Sequence, residues 1–403
     1  MRILVHDYSG HPFQVQLSRA LAARGHDVLH LHCSSYQTGK GAVFRREGDP
    51  PNLEIDAIDL GRSFDRYVLI RRLRQEFSYG AAFGRRALRF DPEIIVSSND
   101  PLFAKTRAAV WCRRHGVPWV FWLQDIYSVA MAAYASRRFG APGRLLGKAF
   151  QAIERQLLHE ADDIVAITGD FRPVLRTWGL SEAQCHVIEN WAPLEDLDVR
   201  AKDNPWSRAH GLHDKRVLLY SGTLGLKHDP HLLTDLARRY KDDGVMVVVV
   251  SQGAGATWLE REQRVQGLSN LVLLPYQPFD ALPDVLGTAD VLLTLLDPGA
   301  AVFSVPSKIL TYLCAGRPVL AAMPPQNLGA RTIERAGAGV VVSPKDVAGF
   351  LAAAGELLAD PARCQALGAS ARAYAERTFD IDTIADRFEG VLAGAVERAR
   401  SRS

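Results

Sequence analysis

The sequence has little that would support a disulfide-linked or membrane-spanning protein. Its five cysteines are odd in number, lie far apart and form no C-x-x-C pair, so neither a disulfide framework nor a cysteine metal site is indicated. No run of about 18 apolar residues is present, and we therefore expect no membrane-spanning helix. The first apolar run is too short for a signal peptide, so the expected location is the cytoplasm.

Two common nucleotide-binding fingerprints are also missing. A nicotinamide site would need G-x-G-x-x-G after a strand, but the first turn has only Gly10. The stretch 39–41 reads Gly-Lys-Gly and lacks both the earlier glycine and the Ser or Thr of a P-loop. These absences argue against a nicotinamide oxidoreductase and a P-loop enzyme.

The chain has 403 residues, which exceeds the roughly 250–300 residues that one hydrophobic core usually serves. Residues 192–214 are rich in proline and acidic residues and interrupt the pattern, as a domain boundary does. We expect an N-terminal domain over 1–195, a second domain over 196–375, and a C-terminal helix over 376–403 that packs back on the first domain.

Short apolar runs alternate with amphipathic stretches of helical length in both halves, which predicts two α/β domains. The run Val-Met-Val-Val-Val-Val at 245–250 lacks alternation, as expected for a strand of a parallel sheet that is covered on both faces. Predicted strands are 3–6, 27–31, 94–97, 120–123, 164–168 and 187–188 in the first half, and 217–220, 245–251, 271–274, 291–295, 319–322 and 340–342 in the second.

Positive charge is concentrated in the front half. Residues 1–150 hold 22 Lys and Arg against 13 Asp and Glu, although the whole chain is only +3. Residues 101–150 combine eight basic residues with one acid, Asp125, and with Trp111, Trp119, Phe121, Trp122 and Tyr127. Such a segment predicts contact with an anionic membrane surface. A solvated basic face is the alternative interpretation.

Two turns in the second half favour binding of phosphate. Gly222 follows a predicted strand and is followed by Lys227, so backbone N–H groups and an ammonium would point at an anion. About 80 residues later, Pro306 and Ser307 begin a predicted helix whose N-terminus favours negative charge. Taken alone, Ser307 would serve only as a helix cap. Together, two such turns at the carboxyl ends of parallel strands suggest a nucleotide diphosphate.

These motifs resemble those of the retaining GT-B glycosyltransferases of family 4, in particular the bacterial cell-surface polysaccharide subgroup of colanic acid and O-antigen enzymes. The similarity rests on 153–168, 187–191, the glycine-lysine turn at 220–227 and the segment 306–319. The resemblance implies two Rossmann-like domains with parallel sheets that face each other across a cleft. The first would bind the acceptor and the second the nucleotide sugar.

The resemblance also implies site residues by position. The expected catalytic residues are Lys227 and Asp125. Residues expected at the diphosphate are Gly222, Thr223, Lys227, Ser307, Lys308 and Gly10; at the donor sugar, Phe303, Ser304, Thr311 and Gln124; at the base, Tyr276, Gln277 and Gln252. Cationic and backbone groups would replace a divalent ion, so no metal and no cofactor are expected.

The sequence departs from the family pattern at several of these positions. Phe303 and Thr311 stand where the family commonly pairs two glutamates, Gln124 replaces a histidine, and Thr223 stands where many relatives have an arginine. The histidines near the N-terminus match no helical ligand pair, and strand-end histidines usually pack or cap.

The function implied is transfer of a sugar, with retention, from a UDP-sugar, or next a GDP-sugar, to a polyprenyl-diphosphate-linked sugar. It would take place on the inner face of the cell membrane, in surface polysaccharide synthesis, and would involve no nucleic acid. The alternatives are a sugar-nucleotide epimerase of the same fold, a transferase acting on a soluble metabolite, and a non-catalytic scaffold.

Overall fold

The structure is a computed structural model that describes residues 1–36, 43–61, 69–98, 100–225, 228–300 and 305–402. The chain forms two compact units. Unit 1 comprises Met1–Asn190 and Asp380–Ser403, and unit 2 comprises Trp191–Phe379. The predicted domain limits at 195 and 375 lie about five residues from the boundaries between these units, and the limits remain predictions.

Unit 1 is a parallel sheet covered by helices. Its elements are β1 (Arg2–Asp7), α1 (Pro12–Ala23), β2 (Asp27–Cys33), β3 (Leu53–Ile58), α2 (Leu69–Phe90), β4 (Ile94–Ser97), α3 (Leu102–His115), β5 (Trp119–Leu123), α4 (Tyr127–Glu160), β6 (Asp163–Ala166), α5 (Arg172–Thr177), β7 (Cys185–Val187) and, after unit 2, α14 (Ile381–Arg402). The described strands pair in the order β3-β2-β1-β4-β5-β6-β7, and every pair is parallel.

Unit 2 repeats this architecture. Its elements are α6 (Pro205–Ala209), β8 (Arg216–Ser221), α7 (His231–Arg239), β9 (Val245–Val250), α8 (Ala254–Gln266), β10 (Leu271–Leu274), α9 (Leu282–Gly287), β11 (Val291–Leu295), α10 (Lys308–Cys314), β12 (Val319–Ala322), α11 (Leu328–Ala336), β13 (Gly339–Val342), α12 (Val347–Ala359) and α13 (Pro361–Thr378). The strand order is β10-β9-β8-β11-β12-β13, again parallel.

The burial of the strands explains why they read as continuous apolar runs. All five residues of β5 are buried, as are all five of β11. A strand with helices on both faces has no solvent side, so its sequence does not alternate. The aromatic residues Trp119, Phe121 and Trp122 therefore lie inside unit 1, which corrects their expected place at a membrane surface.

The predicted strands are all present, with ends shifted by one or two residues. The exception is β3, for which no strand is predicted. The C-terminal tail consists of two helices, because α13 ends at Thr378 and α14 begins at Ile381. The predicted return to the first domain is confirmed, since α14 packs on α1 and Phe388 contacts Trp122 with ring centroids 4.7 Å apart. Within the described residues, no helix has the length and apolarity needed to span a bilayer.

Candidate functional site

The strand order of unit 2 reverses between β8 and β11, and this is where the candidate site lies. In open α/β sheets, ligands bind at the carboxyl ends of the strands, at such a reversal. The loop after β8 carries Gly222 and Thr223, and α10 begins nearby at Lys308.

The side chain of Lys308 is the central cation of this loop. Its ammonium lies over the ring of Tyr220, 3.6 Å from the centroid, and donates a hydrogen bond to the Tyr220 hydroxyl. That hydroxyl in turn donates to the carbonyl of Thr223 at 2.9 Å. Burial, with smaller contributions from Tyr312 and Tyr276, raises the pKa of Tyr220 well above its usual value. The hydroxyl is therefore neutral, and it can donate to Thr223 while accepting from Lys308.

Gly222 makes this approach of the lysine possible. Its φ of +132° lies in a region that side-chain-bearing residues rarely adopt. A Cβ built on Gly222 would lie 3.0 Å from Cε and 3.1 Å from Nζ of Lys308. Any larger residue at this position would have to displace the ammonium. The glycine predicted for backbone contact with an anion thus also leaves room for the cation close to the turn.

Tyr312 fixes α10 against the sheet. Its hydroxyl accepts from the N–H of Ser221 at 2.9 Å and lies 3.1 Å and 3.2 Å from the carbonyls of Ser221 and Leu293. Because Tyr312 is fully buried and is four residues after Lys308, it sets the position of the first turn of the helix. Thr311 donates to the carbonyl of Lys308 at 2.8 Å, which ties its hydroxyl to the same turn.

Ser307 does not cap α10, although its place in the sequence predicts a helix cap. It is exposed, has helical backbone angles, and makes no side-chain cap hydrogen bond. A capping side chain requires an extended N-cap residue that turns back on the helix, and Ser307 already continues the helical turn.

Of the residues assigned to the nucleotide base, Tyr276 lies next to the Gly222 turn. The hydroxyl of Tyr276 forms a hydrogen bond with the hydroxyl of Thr223. The side chain of Thr223, which was expected at the diphosphate, is therefore engaged within the protein. Gln277 is engaged elsewhere, since it accepts from Trp206 at 3.1 Å and donates to the Pro275 carbonyl at 2.9 Å. Gln252 is exposed at the end of β9. Lys227, Phe303 and Ser304 lie outside the described residues.

The corresponding reversal in unit 1, between β1 and β4, is occupied by buried charged groups. Asp100 is 6% exposed, accepts the N–H of Tyr8 at 3.2 Å and the hydroxyl of Ser97, and lies 3.2 Å from Nδ1 of His6. Lys105 is 3% exposed, lies 3.9 Å from Asp100 and donates to the Ser98 carbonyl. Burial lowers the pKa of Lys105 to about 8, although the charges of Asp100 and Glu154 oppose the shift.

Two residues expected at the reacting sugar flank this cluster. Gln124 and Asp125 follow β5 and, with Lys105 and Glu154, line a cavity of about 20 Å³. Such a cavity has room for roughly one water molecule. Gln124 forms a reciprocal pair with Asn190, at 3.3 Å and 2.5 Å, so its amide is held rather than free to turn. Asp125 is half-buried. Gly10, expected at the diphosphate, has φ +72° in the loop after β1 of unit 1.

Comparison with known proteins shows what these units are. Residues 11–191 match the family "Glycosyl transferase 4-like domain", and residues 215–360 match "Glycosyl transferases group 1". Together the two matches account for most of the chain. The chain belongs to the GT-B glycosyltransferases. A metal-binding group of three or more His, Cys, Asp or Glu side chains is not found in the described parts of this transferase.

The relatives of this glycosyltransferase include both curated sequences and solved structures. WcaI of Escherichia coli (strain K12), named as a colanic acid biosynthesis glycosyl transferase, is 28% identical over 76% of this chain and 75% of its own. Sucrose-phosphate synthase from Thermosynechococcus elongatus superposes with a TM-score of 0.72 at 17% identity, over 98% of each chain. Anabaena HepE in complex with UDP-glucose superposes with a TM-score of 0.70 at 17% identity, over 98% of this chain and 100% of its own.

Some residues of these sites were not predicted. Lys308 was predicted at the diphosphate, but the position of its ammonium over Tyr220 was not, and Tyr220 and Tyr312 were assigned no role. A tyrosine inside a strand that is otherwise aliphatic was the available signal, because a buried hydroxyl needs a partner. The burial of Asp100 gave no local signal, since it depends on His6 and Tyr8 at the end of a strand that is distant in the sequence.

Proposed function

We propose that this protein is a retaining glycosyltransferase that moves a sugar from a UDP-sugar to a hydroxyl of a polyprenyl-diphosphate-linked sugar. A GDP-sugar is the second choice of donor. The observation that carries the proposal is the Lys308 ammonium held over Gly222 at the β8–β11 reversal. The reaction would contribute to the synthesis of a surface polysaccharide.

Unit 2 supports a diphosphate ligand through its chemistry. A sugar leaving its nucleotide places negative charge on the diphosphate, and a fixed ammonium stabilises charge that develops there. The Gly222 turn adds backbone N–H groups, and Lys227 remains a predicted second cation of the same loop. These groups would serve the role of a divalent ion, so we propose metal-independent turnover.

The chemistry of the proposed step balances without a protein nucleophile. The bond between the sugar C1 and the phosphate oxygen breaks, and the nucleotide diphosphate leaves with the electron pair. The acceptor oxygen forms the new bond to C1 on the same face, and its proton passes to a diphosphate oxygen. Two relatives support the proposal: HepE was solved with UDP-glucose, and WcaI is named for colanic acid synthesis.

A basic helical face on unit 1 supports a membrane-bound acceptor. We use this term for the exposed basic side chains of α2, α3 and the part of α4 up to Phe150: Arg71, Arg74, Arg85, Arg89, Arg107, Arg113, Arg114, Arg144 and Lys148. Over these three stretches the only acidic residue is Glu76, which is fully buried and paired with Arg72. Exposed basic side chains without exposed acids attract anionic lipid.

Apolar side chains on the same helices add to this support. Phe77, Phe139 and Leu145 are 49%, 57% and 72% exposed. Phe103 of α3 links α2 and α4, with its ring 6.3 Å from that of Phe77 and 6.4 Å from that of Phe150. A surface that combines basic and exposed apolar side chains is typical of proteins that lie on a membrane. We propose that unit 1 docks on the inner face of the cell membrane.

The test of the transferase is turnover of a panel of UDP-, GDP-, dTDP- and ADP-sugars with EDTA present, with a mass balance of sugar and nucleotide. We expect one nucleotide to stabilise the protein and its sugar to be transferred. Lys308→Met and Lys227→Ala should abolish most turnover, whereas Lys345→Met, an exposed lysine of unit 2, should not. Sugar consumed without an acceptor would instead indicate an epimerase, and no response to any nucleotide would refute the transferase.

The membrane part has its own test. Co-sedimentation with phosphatidylcholine vesicles should be weak, and adding phosphatidylglycerol should increase it at low salt. The double variant Arg144→Glu/Lys148→Glu should lose this increase, and Lys241→Glu/Lys345→Glu, in unit 2, should keep it. If anionic lipid has no effect, the membrane proposal fails and a soluble acceptor becomes the better hypothesis.

A further inference from the structure

The loop between β1 and α1 contains a pair of residues, Asp7 and His11, that the proposed reaction has not yet used. Asp7 is the last residue of β1 and is fully buried. Its carboxylate accepts the backbone N–H groups of Ser9, at 3.2 Å, and of His11. The turn is therefore built around this one carboxylate, which fixes the start of α1.

The same carboxylate also holds the ring of His11. Nδ1 of His11 lies 3.3 Å from Oδ1 of Asp7, and the His11 side chain is 29% exposed. The ring packs beside Phe13, with centroids 5.6 Å apart. Among the residues that the structure describes, none makes a hydrogen bond to Nε2 of His11. A carboxylate that accepts a hydrogen bond from Nδ1–H fixes the tautomer in which Nε2 is an acceptor.

The charges around Asp7 favour this arrangement. Burial raises the pKa of Asp7, but the hydrogen bonds that it accepts from His11, together with electrostatic interactions with His11 and His30, outweigh burial and leave the pKa below its usual value. His30, on β2, has Nε2 3.9 Å from Asp7, and burial is the main cause that lowers its pKa to about 4. His32, Arg19 and His6 also face His30 and disfavour its protonation. At neutral pH, His30 is therefore neutral and Asp7 is an anion.

The pair sits where a ligand of unit 1 is expected. Asp7 ends the central strand β1 at the β1–β4 reversal, the place at which open α/β sheets bind ligands. The adjoining residue, Tyr8, is tied to Asp100 by its backbone N–H, so the loops after β1 and β4 are joined. A half-exposed imidazole with a fixed acceptor nitrogen at this position is suited to a neutral hydroxyl ligand.

We propose that Nε2 of His11 accepts a hydrogen bond from a sugar hydroxyl of the acceptor, and that Asp7 is a positioning residue that holds the imidazole for it. This rests on the proposed function only in naming the ligand as an acceptor sugar. The interaction binds and orients the hydroxyl, and it forms and breaks no covalent bond. It assigns a polyhydroxylated ligand to the β1–β4 reversal of unit 1.

The test measures binding of free sugars without any sugar donor, by saturation-transfer NMR on the full chain with glucose, galactose, mannose and N-acetylglucosamine as probes. We expect wild type to bind at least one probe, and His11→Ala to bind it about tenfold more weakly, as for loss of one hydrogen bond. Imidazole added to His11→Ala should restore part of the signal. His115→Ala is the matched control, because His115 is exposed on α3 and stacks on Trp111.

The Asp7→Asn variant distinguishes a role of Asp7 in positioning the His11 ring from a purely structural role. Nitrogen NMR shifts of the His11 ring report which ring nitrogen carries the proton, and wild type should show it on Nδ1 whereas Asp7→Asn should show a mixture of the two tautomers. UDP affinity should be unchanged in each variant. Equal probe binding by His11→Ala and wild type, or no binding of any probe by wild type, would overturn the proposal. Probe binding by a wild type that never turns over a nucleotide sugar would instead refute the transferase and leave the His11 proposal standing.

Discussion

The two units have the same order in their first six strands but place different chemistry at the point where that order reverses. In unit 2, the reversal holds a glycine turn, two tyrosines and the ammonium of Lys308. In unit 1, it holds buried ionisable residues, namely Asp7, His6, His30, Asp100, Lys105 and Glu154. Position in the sheet therefore determines where a ligand binds, and the side chains at that position determine which ligand.

The difference has a physical basis. A diphosphate brings its own charge, so unit 2 needs only backbone donors and a cation that can remain near solvent. A sugar hydroxyl is neutral and directional, and the groups that bind it must be held in fixed positions. We propose that unit 1 achieves this with buried hydrogen-bonded charges, which are rigid but costly to bury. Removing a charge should therefore mainly weaken ligand binding in unit 2, and mainly change the free energy of unfolding in unit 1.

The largest expected effect is that of Lys308→Met in unit 2. Methionine keeps the aliphatic stem over Tyr220 but removes the charge, so kcat should fall by about 100- to 1,000-fold, as for loss of one fixed donor at a developing anion. Steady-state kinetics with a saturating UDP-sugar would measure it. An unchanged kcat would mean that Lys308 only packs against Tyr220, and it would remove the contrast between the units.

Lys105→Met should change the pH dependence of stability, because the fold lowers the pKa of Lys105 from 10.5 to about 8. Between these pH values the unfolded chain binds more protons than the folded chain, so the stability of the wild type rises with pH. The free-energy cost of burying the ammonium is fully present below pH 8. From pH 7.5 to 9.5 the wild type should gain about 2 kcal/mol relative to Lys105→Met. Urea unfolding at both pH values would measure it, and parallel pH profiles would show that Lys105 is not a buried ammonium.

Tyr220→Phe tests whether the hydroxyl matters beyond the ring. Phenylalanine keeps the surface under Lys308 but leaves the Thr223 carbonyl without its donor, so we expect a loss of about 1 kcal/mol in stability. UDP should bind several-fold more weakly, because the ammonium would be less well fixed. Thermal unfolding and calorimetric titration would measure the two effects. Lower stability with unchanged UDP binding would show that the Tyr220 hydroxyl supports the turn but does not affect the ligand site.

The smallest effect is expected for Tyr276→Phe. This change removes the hydrogen bond to Thr223 but keeps an aromatic ring for a base to stack on, so UDP affinity should change less than threefold, within about 0.6 kcal/mol. Tyr276→Ala should cost clearly more. If both variants bind UDP like wild type, the base lies elsewhere and the predicted role of Tyr276 is wrong.

The sequence was sufficient to predict the fold because the interior strands are continuous apolar runs. The strand β3 escaped prediction because Leu53–Ile58 is an edge strand that carries Glu54 and Asp56 and so resembles a loop. The run at β5 was correctly predicted as a strand, yet its aromatic residues were also taken as a membrane contact. A strand buried on both faces leaves none of them exposed. Among the described residues of 101–150, the exposed large apolar side chains lie on α4 instead.

The candidate sites were less predictable than the fold. The glycine at 222 and the helix start near 308 were visible as local patterns, but the partner of Lys308 is Tyr220, 88 residues away. Such pairings depend on which strands become neighbours. His11 was classed with strand-end histidines that pack or cap, and only the contact with the buried Asp7 shows that its ring is held in place. For Ser307, the sequence pattern predicted a helix cap, but the side chain makes no cap hydrogen bond.

The central claim is that unit 2 binds the nucleotide, and hydrogen–deuterium exchange of the full chain with and without UDP tests it most directly. We predict slower exchange in the peptides that contain 220–225, 251–256, 274–277 and 305–312, and unchanged exchange at 8–11 and 98–105. The Lys308→Met variant should lose the protection. Protection confined to the unit 1 loops, or no protection anywhere at saturating UDP, would contradict the account.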